Sequence, residues 1–367
     1  MLADGRHRVI SYHDTWISID PVQGCPYQCA YCVLRYGGTT GTAPRQTTSP
    51  SECVRQLLEY PFFIRSKTPI AIGNETDMLH PKNVDYLVSL LTEIKSAEIK
   101  NTISLITKAP LTDKTLARIR EVVGNQVVFF LSYSGLGSRF EPNFTDEQLQ
   151  QNFSLVKRNG FPLVHYWRPL LPVNTTIDAI QRMLNFVSTV ADATVFVGLK
   201  LHPGLTEIIT QNGVVDVPVE LREKYGEWLP AETIPRIYDA ARQICPHYRL
   251  YRHTSCAIAS VFGKPNHTAT VFRDDVCPPS HCPQVQRDIC QAARRIPSLV
   301  EVEKVVLSLG RELNIELEPD RVVIREEVSQ EEFTFLLHNL NCPLEVKAVH
   351  MNNLYHGDIF KGQKTNV

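Results

Sequence analysis

Short runs of β-branched and aromatic residues alternate with helical segments along the first part of this 367-residue chain, and this alternation limits the fold most strongly. Short apolar strands separated by helices form parallel sheets, because each connection between parallel strands has to cross back over the sheet. Counting the runs gives a β/α repeat of six, so the sequence predicts an α/β fold with a parallel sheet. The predicted strands cover residues 15–20, 69–73, 102–107, 126–132, 162–168 and 194–201.

Apolar residues at helical spacing mark the segments between these strands. Thr145 and Gln148 form a capping box at the start of one predicted helix. The predicted helices cover residues 51–60, 86–94, 112–122, 145–159 and 176–190.

A cysteine-rich loop follows the first predicted strand. Cys25, Cys29 and Cys32 have the spacing C-x3-C-x2-C, and Tyr31 directly precedes the last thiol. Thiolates at these intervals can bind three corners of a 4Fe-4S cluster and leave the fourth iron without a protein ligand. A zinc loop or three structural thiols are the alternatives, although structural zinc normally takes four protein ligands in a closed tetrahedron. The spacing therefore favours an iron-sulfur cluster with one open iron.

The loop and its position after a strand resemble the radical S-adenosylmethionine (radical SAM) superfamily. The resemblance implies that the methionine amine and carboxylate of S-adenosylmethionine bind the open iron, and that reductive cleavage makes a 5'-deoxyadenosyl radical. It also implies that the six β/α units form a partial (β/α)6 TIM-type barrel, with the active site in the loops at the carboxyl ends of the strands. An electron donor such as flavodoxin or ferredoxin is implied as well, because sulfonium cleavage requires a cluster of low potential.

The ends of the later strands resemble one branch of this superfamily, the proteins related to spore photoproduct lyase. The matching segments are Gly73-Asn74-Glu75-Thr76-Asp77, Thr107-Lys108, Ser132 followed by Glu141-Pro142, and Arg168-Pro169 followed by Pro172 and Asn174. The resemblance implies that Lys108 and Arg168 contact the methionine carboxylate and that Ser132 contacts the ribose. Each segment alone also fits an ordinary polar turn or a solvated side chain. The implied cofactor contacts are Tyr31, Glu75, Thr76, Asp77, Lys108, Ser132, Arg168 and Gly198.

The end of the sixth predicted strand carries Gly198, Lys200 and His202. Gly198 has no side chain, so an adenine ring could approach the backbone closely at this point. Lys200 and His202 lie near the predicted barrel mouth, and we take them as the candidate catalytic residues. A structural or solvated histidine is the alternative for His202.

A second group of cysteines lies beyond the predicted barrel and comprises Cys256, Cys277, Cys282 and Cys290. Many radical SAM enzymes carry an auxiliary iron-sulfur cluster in a C-terminal extension, and this group resembles such a site in kind. Four thiolates would close the coordination, whereas three would leave an iron free to bind substrate. The alternatives are a zinc site, helped by His253, His267 and His281, and buried thiols that bind no metal.

The balance of charges and the positions of the cysteines limit the range of possible functions. Lys and Arg number 38 against 39 Asp and Glu, so no global positive field indicates a nucleic-acid partner, and we favour a small-molecule or peptide substrate. In spore photoproduct lyase a cysteine donates hydrogen to the substrate radical, but here no cysteine lies between Cys53 and Cys245. That gap counts against a DNA-repair activity. A nucleic-acid lyase or modifying enzyme and a non-catalytic, metal-stabilised binding module are the alternatives.

Three parts of the chain are predicted: residues 1–245 as the radical SAM partial barrel, 246–296 as a Cys-rich extension, and 297–367 as a small α/β appendage. The appendage prediction depends on an amphipathic helix at 302–313, strands at 322–324 and 344–349, and a helix at 329–339 that opens with a Ser329 to Glu332 capping box.

The cellular compartment is predicted from apolar length and cysteine content. Residues 1–14 are polar and no later stretch has the apolar length of a membrane span, so we expect a cytoplasmic protein without a membrane partner. Ten cysteines in a reducing compartment fit metal ligands and buried thiols better than disulfides.

Overall fold

A nine-stranded, mostly parallel sheet is the body of the protein in the computed structural model. The structure describes residues 9–13, 15–65, 67–211, 213–224, 226–268 and 282–350. The strands are β1 (Ile10–Tyr12), β2 (Ile17–Ile19), β3 (Val22–Gln23), β4 (Arg45–Gln46), β5 (Ile70–Ile72), β6 (Ile103–Thr107), β7 (Val127–Ser132), β8 (Leu163–Leu170), β9 (Ala193–Leu201), β10 (Gly226–Trp228), β11 (Leu250–Tyr251), β12 (Ile315–Leu317), β13 (Val322–Ser329) and β14 (Leu344–His350). The helices are α1 (Pro50–Glu59), α2 (Val84–Ser96), α3 (Asp113–Val123), α4 (Asp146–Arg158), α5 (Ile177–Val190), α6 (Pro203–Gln211), α7 (Thr233–Ile244), α8 (Thr254–Val261), α9 (Gln284–Ala292), α10 (Leu299–Leu307) and α11 (Gln330–Leu340).

The central strands of the sheet pair in chain order. β2, β5, β6, β7, β8 and β9 are neighbours, and every pairing among them is parallel. They correspond to the six strands predicted from the sequence, with α1 to α5 in the connections. The predicted mostly parallel α/β sheet is therefore confirmed, and it is consistent with a partial TIM-type barrel.

Further strands join the two ends of this block. β1 pairs antiparallel with β2, and β10 pairs antiparallel with the second half of β9. β11 pairs in parallel with the first half of β9. The sequence did not indicate β1, β10, β11 or the β3–β4 pair, because a strand of two or three residues is too short to show an alternating pattern.

Both faces of the sheet are apolar because side chains alternate along each strand. In β7, Val127 and Phe129 pack against the surrounding helices, whereas Val128 and Phe130 point to the opposite, inner face. All six residues of β7 are buried, as expected for a strand covered on both sides. The predicted barrel interior is thus filled with packed side chains around Val128 and Phe130.

Helix α8 covers part of this inner face. Ala257 and Ile258 of α8 share a cluster with Phe130, Val164 and Tyr251 of the sheet. We predict residues 246–296 to form an extension, but its first elements, β11 and α8, pack directly onto the body.

Helix starts in this chain depend on side-chain caps. The predicted capping boxes are confirmed at Thr145 for α4 and at Ser329 for α11, and Ser298 forms another at α10. These caps accept hydrogen bonds from backbone amides that have no partner inside the helix. Within the described ranges, none of the helices combines the length and apolar character needed to cross a membrane.

The C-terminal unit has a three-stranded sheet with the order β12-β13-β14. β13 and β14 are parallel and α11 connects them, so the predicted α/β elements of this region are present. Val322, Phe333 and Leu336 belong to a separate apolar core. The predicted strand at 322–324 continues to Ser329, beyond a register shift between Ile324 and Glu327. The last part of the predicted appendage, residues 351–367, lies outside the described residues.

Buried polar groups connect this unit to the body. His338 Nδ1 of α11 lies 2.9 Å from the Tyr12 hydroxyl of β1 and 3.3 Å from the Thr68 hydroxyl. The ring of His267 packs edge-on against His338, with centroids 4.9 Å apart. Burial lowers the pKa of His267 to about 4, so this ring is neutral at physiological pH. The unit is therefore attached through specific hydrogen bonds as well as apolar contact.

His165 is expected to make stability pH-dependent. Its ring is fully buried in β8, with Nδ1 3.0 Å from Thr194 Oγ1 and Nε2 2.9 Å from the Tyr133 carbonyl. Burial lowers its pKa from 6.5 to about 3. Since the unfolded chain then binds a proton that the folded chain does not, this contribution is complete above pH 6.5 and is lost as the pH falls towards 3.

Urea unfolding at about pH 7 and about pH 5 measures this dependence. In His165→Gln the difference between the two free energies of unfolding should shrink. His247→Gln, at an exposed position, should leave it unchanged. A difference in His165→Gln as large as in the unmodified protein would contradict the prediction.

Candidate active site

The cysteine loop closes on its own backbone. Gly24 opens the loop with φ +89°, and a Cβ at this position would lie 2.7 Å from Thr42 Oγ1. The Cys25 amide donates to the Thr39 carbonyl at 2.9 Å, and the Cys25 carbonyl accepts from the Gly41 amide at 2.8 Å. The first cysteine therefore has a fixed backbone position, which only glycine at residue 24 allows.

Two further attachments hold the middle of the loop. Arg35 Nε donates to the Cys29 carbonyl at 2.8 Å, and Arg35 Nη2 donates to the Gln28 carbonyl at 2.9 Å. The Ala30 amide donates to the Phe140 carbonyl at 2.8 Å, in the segment that follows β7. The loop is thus joined to the carboxyl edge of the sheet.

The three loop thiols have the chemistry of metal ligands. None is in a disulfide; Cys29 is buried, and Cys25 and Cys32 are half-buried. Burial raises the pKa of Cys25 and of Cys29 to about 12, so a nearby cation is required to make thiolates at neutral pH. A bound metal centre provides that charge and deprotonates its thiols. The donor set therefore fits an iron-sulfur cluster.

In the part of the chain that the structure describes, no three His, Cys, Asp or Glu side chains are grouped as the ligands of one metal ion would be. The identity of a metal centre at the three thiols stays a prediction.

Lys108, Ser132 and Arg168 lie at the carboxyl ends of three neighbouring strands. Each follows an inner-facing residue by two positions, so all three are in register with the inner face. Lys108 Nζ donates to the Ser132 carbonyl at 3.0 Å, which brings the ends of β6 and β7 together. Arg168 Nη1 donates to the Tyr166 hydroxyl at 3.1 Å, with its guanidinium 5.0 Å from that ring centroid. Their cofactor contacts stay predictions.

Glu141 is the centre of a buried polar cluster beside the cysteine loop. Its Oε1 forms an ion pair with Lys108 Nζ at 2.8 Å and accepts from Ser134 Oγ at 2.9 Å. The Tyr31 hydroxyl donates to the same oxygen. The side chains of Lys108 and Glu141 are only 11% and 1% exposed. The cluster thus connects the cysteine loop with the ends of β6 and β7.

The second carboxylate oxygen of Glu141 indicates whether this site suits the cofactor. Oε2 is buried and has no hydrogen-bond partner among the described residues. A buried carboxylate oxygen without a donor is costly, so a ligand that brings a donor is favoured. The methionine ammonium group of S-adenosylmethionine is such a donor. Glu141 had no predicted role, although the Glu-Pro pair that it forms with Pro142 after the fourth predicted strand is visible in the sequence.

Thr76 and Asp77 connect backbone segments at the same edge. Asp77 accepts from the Thr107 hydroxyl at 2.8 and 2.9 Å and from the Lys108, Ala109 and Leu79 amides at 2.9 to 3.0 Å. The Thr76 hydroxyl donates to the Gly24 carbonyl at 2.7 Å. These side chains therefore position the strand ends and the cysteine loop, and their predicted contacts with the cofactor stay predictions.

Asp20 supports the turn that carries Glu75. Asp20 Oδ1 accepts from the Asn74 amide at 2.5 Å and the Glu75 amide at 3.1 Å, and Ser18 donates to the other oxygen. Burial raises the pKa of Asp20 to about 6. Asp20 was not among the predicted site residues, although a carboxylate at the end of the first predicted strand, just before the cysteine loop, is visible in the sequence. Glu75 itself is half-buried on this turn.

The space beside Gly198 is filled by the chain itself. A Cβ on Gly198 would lie 2.2 Å from the Trp228 carbonyl oxygen and 2.7 Å from Leu229 Cγ. The Gly198 amide donates to Glu227, which also pairs with Arg252 at 2.8 Å. The close approach expected of an adenine ring is thus made here by β10, and the contact of Gly198 with the cofactor stays a prediction.

The end of β9 packs against the residues that follow the cysteine loop. The ring of His202 lies 4.0 Å from that of Tyr36, centroid to centroid. Gly204 permits this contact, since a Cβ there would lie 2.4 Å from Tyr36 Cε2. His202 and Lys200 are both half-buried. The structure therefore brings His202 close to the cysteine loop.

Three of the four downstream cysteines share one neighbourhood. Asn266 Nδ2 donates to Cys256 Sγ at 3.3 Å, and the Asn266 amide donates to Cys290 Sγ at 3.4 Å. The Tyr251 hydroxyl lies 4.0 Å from Cys282 Sγ. Burial raises the pKa of Cys282, and Cys290 adds to this shift. Cys256 and Cys282 also pack against the inner-face cluster.

The other predicted ligands of this region are placed as follows. Cys277 and His281 lie outside the described residues. His267 Nε2 lies 2.8 Å from the Thr15 carbonyl. His253 directly precedes α8. Metal binding by any of these residues stays a prediction.

The buried pair of Lys108 and Glu141 is expected to contribute more stability than an exposed pair. Glu141→Gln leaves the Lys108 charge buried without its carboxylate, so the free energy of unfolding should fall by about 3–5 kcal/mol. Urea unfolding curves measure the change. Glu59→Gln, which breaks the exposed pair with Arg55, should have no measurable effect. Identical curves for Glu141→Gln and the unmodified protein would refute the role of the pair.

No protein-family model and no curated protein matches the chain. Spore photoproduct lyase complexed with dinucleoside spore photoproduct superposes with a TM-score of 0.51 and 14% sequence identity, over 64% of this chain and 75% of the lyase. A double mutant of that lyase with bound AdoMet and dinucleoside spore photoproduct gives 0.51 and 15% over the same shares.

A more distant match is HydG, a maturase of the FeFe-hydrogenase, with a TM-score of 0.43 and 12% identity over 66% of this chain and 53% of HydG. At these identities the likeness concerns the fold. The match to the lyase agrees with the parallel order of β2, β5, β6, β7, β8 and β9. Over the matched part, the chain therefore has the fold seen in spore photoproduct lyase.

Proposed function

We propose that this protein is a radical SAM enzyme that reductively cleaves S-adenosylmethionine at a 4Fe-4S cluster bound by Cys25, Cys29 and Cys32. The main support is the position of the loop: Tyr31 and Ala30 attach it to the segment after β7, so three free thiols lie at the carboxyl edge of parallel strands. Barrel enzymes build their active sites at this edge.

When bound, the cluster and S-adenosylmethionine supply a 5'-deoxyadenosyl radical that abstracts hydrogen from the substrate. Lys108 and Glu141 provide one fixed positive and one fixed negative charge, which complement a carboxylate and an ammonium group. Glu141 Oε2 has room in its hydrogen bonding for an added donor. The proposed cofactor contacts also include Tyr31, Glu75, Thr76, Asp77, Ser132, Arg168 and Gly198.

The apolar inner face below these residues protects a reactive intermediate from solvent. Phe130, Val164 and Val195 are fully buried there and pack with α8. An apolar floor of this kind helps to keep water and stray hydrogen-atom donors away from a reactive intermediate. The protein thus holds the substrate carbon in a dry position beside the reacting group.

Lys200 and His202 are the proposed catalytic residues on the substrate side. Both lie at the end of β9, and the ring of His202 contacts that of Tyr36 next to the cysteine loop. A histidine beside a bound substrate can act as a general acid or base. The lysine supplies a positive charge for an anionic group of the substrate.

A small molecule or a peptide is the proposed substrate class, supported by the net charge of −1. A nucleic-acid lyase or modifying enzyme is the second candidate, because the lyase with the same fold has been solved with a dinucleoside. The absence of cysteine between Cys53 and Cys245 weighs against that candidate. A thiol donor would have to come from Cys256 or Cys282, which border the inner face.

We also propose a second metal centre at Cys256, Cys277, Cys282 and Cys290, either an iron-sulfur cluster or zinc. The common contacts of Asn266 with Cys256 and Cys290 support it. Metal analysis separates the cases, since about four irons per chain means one cluster and about eight means two. Zinc without iron would support a binding module instead. A reductant such as flavodoxin or ferredoxin and a cytoplasmic location complete the proposal.

Cys29→Ala is expected to abolish 5'-deoxyadenosine formation after anaerobic reconstitution with S-adenosylmethionine and dithionite, because the cluster loses a ligand. Cys282→Ala should leave cofactor cleavage largely intact. Cys245→Ala, a half-buried thiol outside both groups, is the matched control. Chromatography quantifies the product, and deuterium transfer from labelled candidate substrates into 5'-deoxyadenosine identifies the substrate.

Two results would count against this assignment. Undiminished product in Cys29→Ala would remove the cluster from the proposed loop. Equal loss in Cys29→Ala and Cys282→Ala would show that the downstream thiols are needed for the first step or for folding, and circular dichroism of the two variants separates those cases.

A further inference from the structure

A polar groove lies on the solvent side of the cysteine loop. It has a volume of 280 Å³, and its walls include Gln28, Arg35 and Arg139. Gly213 and Val214, which follow α6, form the opposite side. The function proposed above makes no use of this groove.

The backbone of the cysteine loop forms one wall of the groove. Arg35 lines it and donates to the carbonyls of Cys29 and Gln28 at 2.8 and 2.9 Å. The groove is therefore one peptide unit away from a cluster ligand. Tyr31 does not line the groove and contacts the buried Glu141 instead. The loop residues that line the groove are therefore different from the one that reaches the buried polar cluster.

The groove carries local positive charge. Arg139 is exposed, with its guanidinium 5.5 Å from the Phe140 ring centroid and Nη2 3.5 Å from the Gly213 carbonyl. Among the described residues, neither Arg35 nor Arg139 forms an ion pair with a carboxylate, and no Asp or Glu lines the groove. The chain as a whole has a net charge of −1, so this charge belongs to the groove and not to a general field.

We infer that the groove is the docking surface for an acidic one-electron carrier protein, which Arg35 and Arg139 attract by charge. This inference rests on the proposed function, because that function requires one electron to reach a cluster at Cys29. One electron leaves the carrier and enters the cluster, and no proton or chemical group moves between the proteins. Complementary charge accelerates and orients such encounters. Reduction and cofactor binding then use different residues of the same loop.

Arg139→Glu tests the inference, since Arg139 has no contact with the cysteine ligands. Titration calorimetry of the reconstituted protein with a flavodoxin of net negative charge, at low ionic strength, should show binding weakened about tenfold or more. The ratio of flavodoxin-driven to dithionite-driven 5'-deoxyadenosine formation should fall by a similar factor. Arg182→Glu, the same charge change at an exposed position of α5, should alter neither quantity. Arg139→Lys should retain most of the affinity, because the attraction depends on the positive charge and not on the shape of the side chain.

Equal flavodoxin affinity in Arg139→Glu and Arg182→Glu would overturn the docking surface. A loss in Arg139→Glu that high salt does not reduce in size would also overturn it, because screening must weaken a charge effect. The proposed function fails in a different way, through absence of 5'-deoxyadenosine with dithionite in the unmodified protein. Flavodoxin affinity is measured without turnover, so the two failures are distinguishable.

Discussion

A buried ion pair at the carboxyl edge of the sheet is the point to which the cysteine loop attaches. Lys108 ends one strand and Glu141 follows the next, and their 2.8 Å contact is almost closed to solvent. Tyr31 donates to the same carboxylate from within the loop. Because two desolvated charges are stable only when their hydrogen bonds are well satisfied, this contact fixes the loop against the strand ends. The position of the three thiols relative to the inner face follows from it.

Two buried carboxylates at this edge differ in their hydrogen bonding, and the difference distinguishes a carboxylate that supports the backbone from one that is available to a ligand. Asp77 receives donors from a hydroxyl and three backbone amides, so both its oxygens are occupied within the protein. Glu141 has one oxygen occupied and the other buried without a partner among the described residues. A carboxylate whose two oxygens both accept hydrogen bonds stabilises backbone geometry. A buried carboxylate with one oxygen lacking a hydrogen-bond donor favours a ligand that brings a donor. The distinction depends on tertiary contacts and not on residue type.

Strand periodicity carried most of what the sequence could predict. The six central strands follow from β-branched runs, and the inner register of Lys108, Ser132 and Arg168 follows from alternation along those strands. The role of Glu141 could not be predicted, because two of its three partners, Lys108 and Tyr31, come from distant parts of the chain. The filling of the space at Gly198 was likewise hidden, since β10 is a three-residue strand without a readable period.

The downstream region shows a second limit of sequence reasoning. Cysteine spacing predicts a Cys-rich extension, and the structure adds that α8 packs on the inner face of the sheet and brings Cys256 with it. Nothing in a C-x4-C-x7-C spacing states which surface the segment covers. The apolar residues Ala257 and Ile258 were the available signal, but eight helical residues fit a surface helix equally well. Packing against a sheet face is a property of the assembled body.

The hydrogen bond between Tyr12 and His338 spans 326 residues of sequence and joins the first strand to the last helix. During synthesis, β1 can pair with β2 soon after both have emerged, but the Tyr12 hydroxyl acquires this partner only when α11 has been made. Thr68 shares this dependence, since it meets the same imidazole. The buried contact between the body and the C-terminal unit therefore cannot form until α11 has been synthesised.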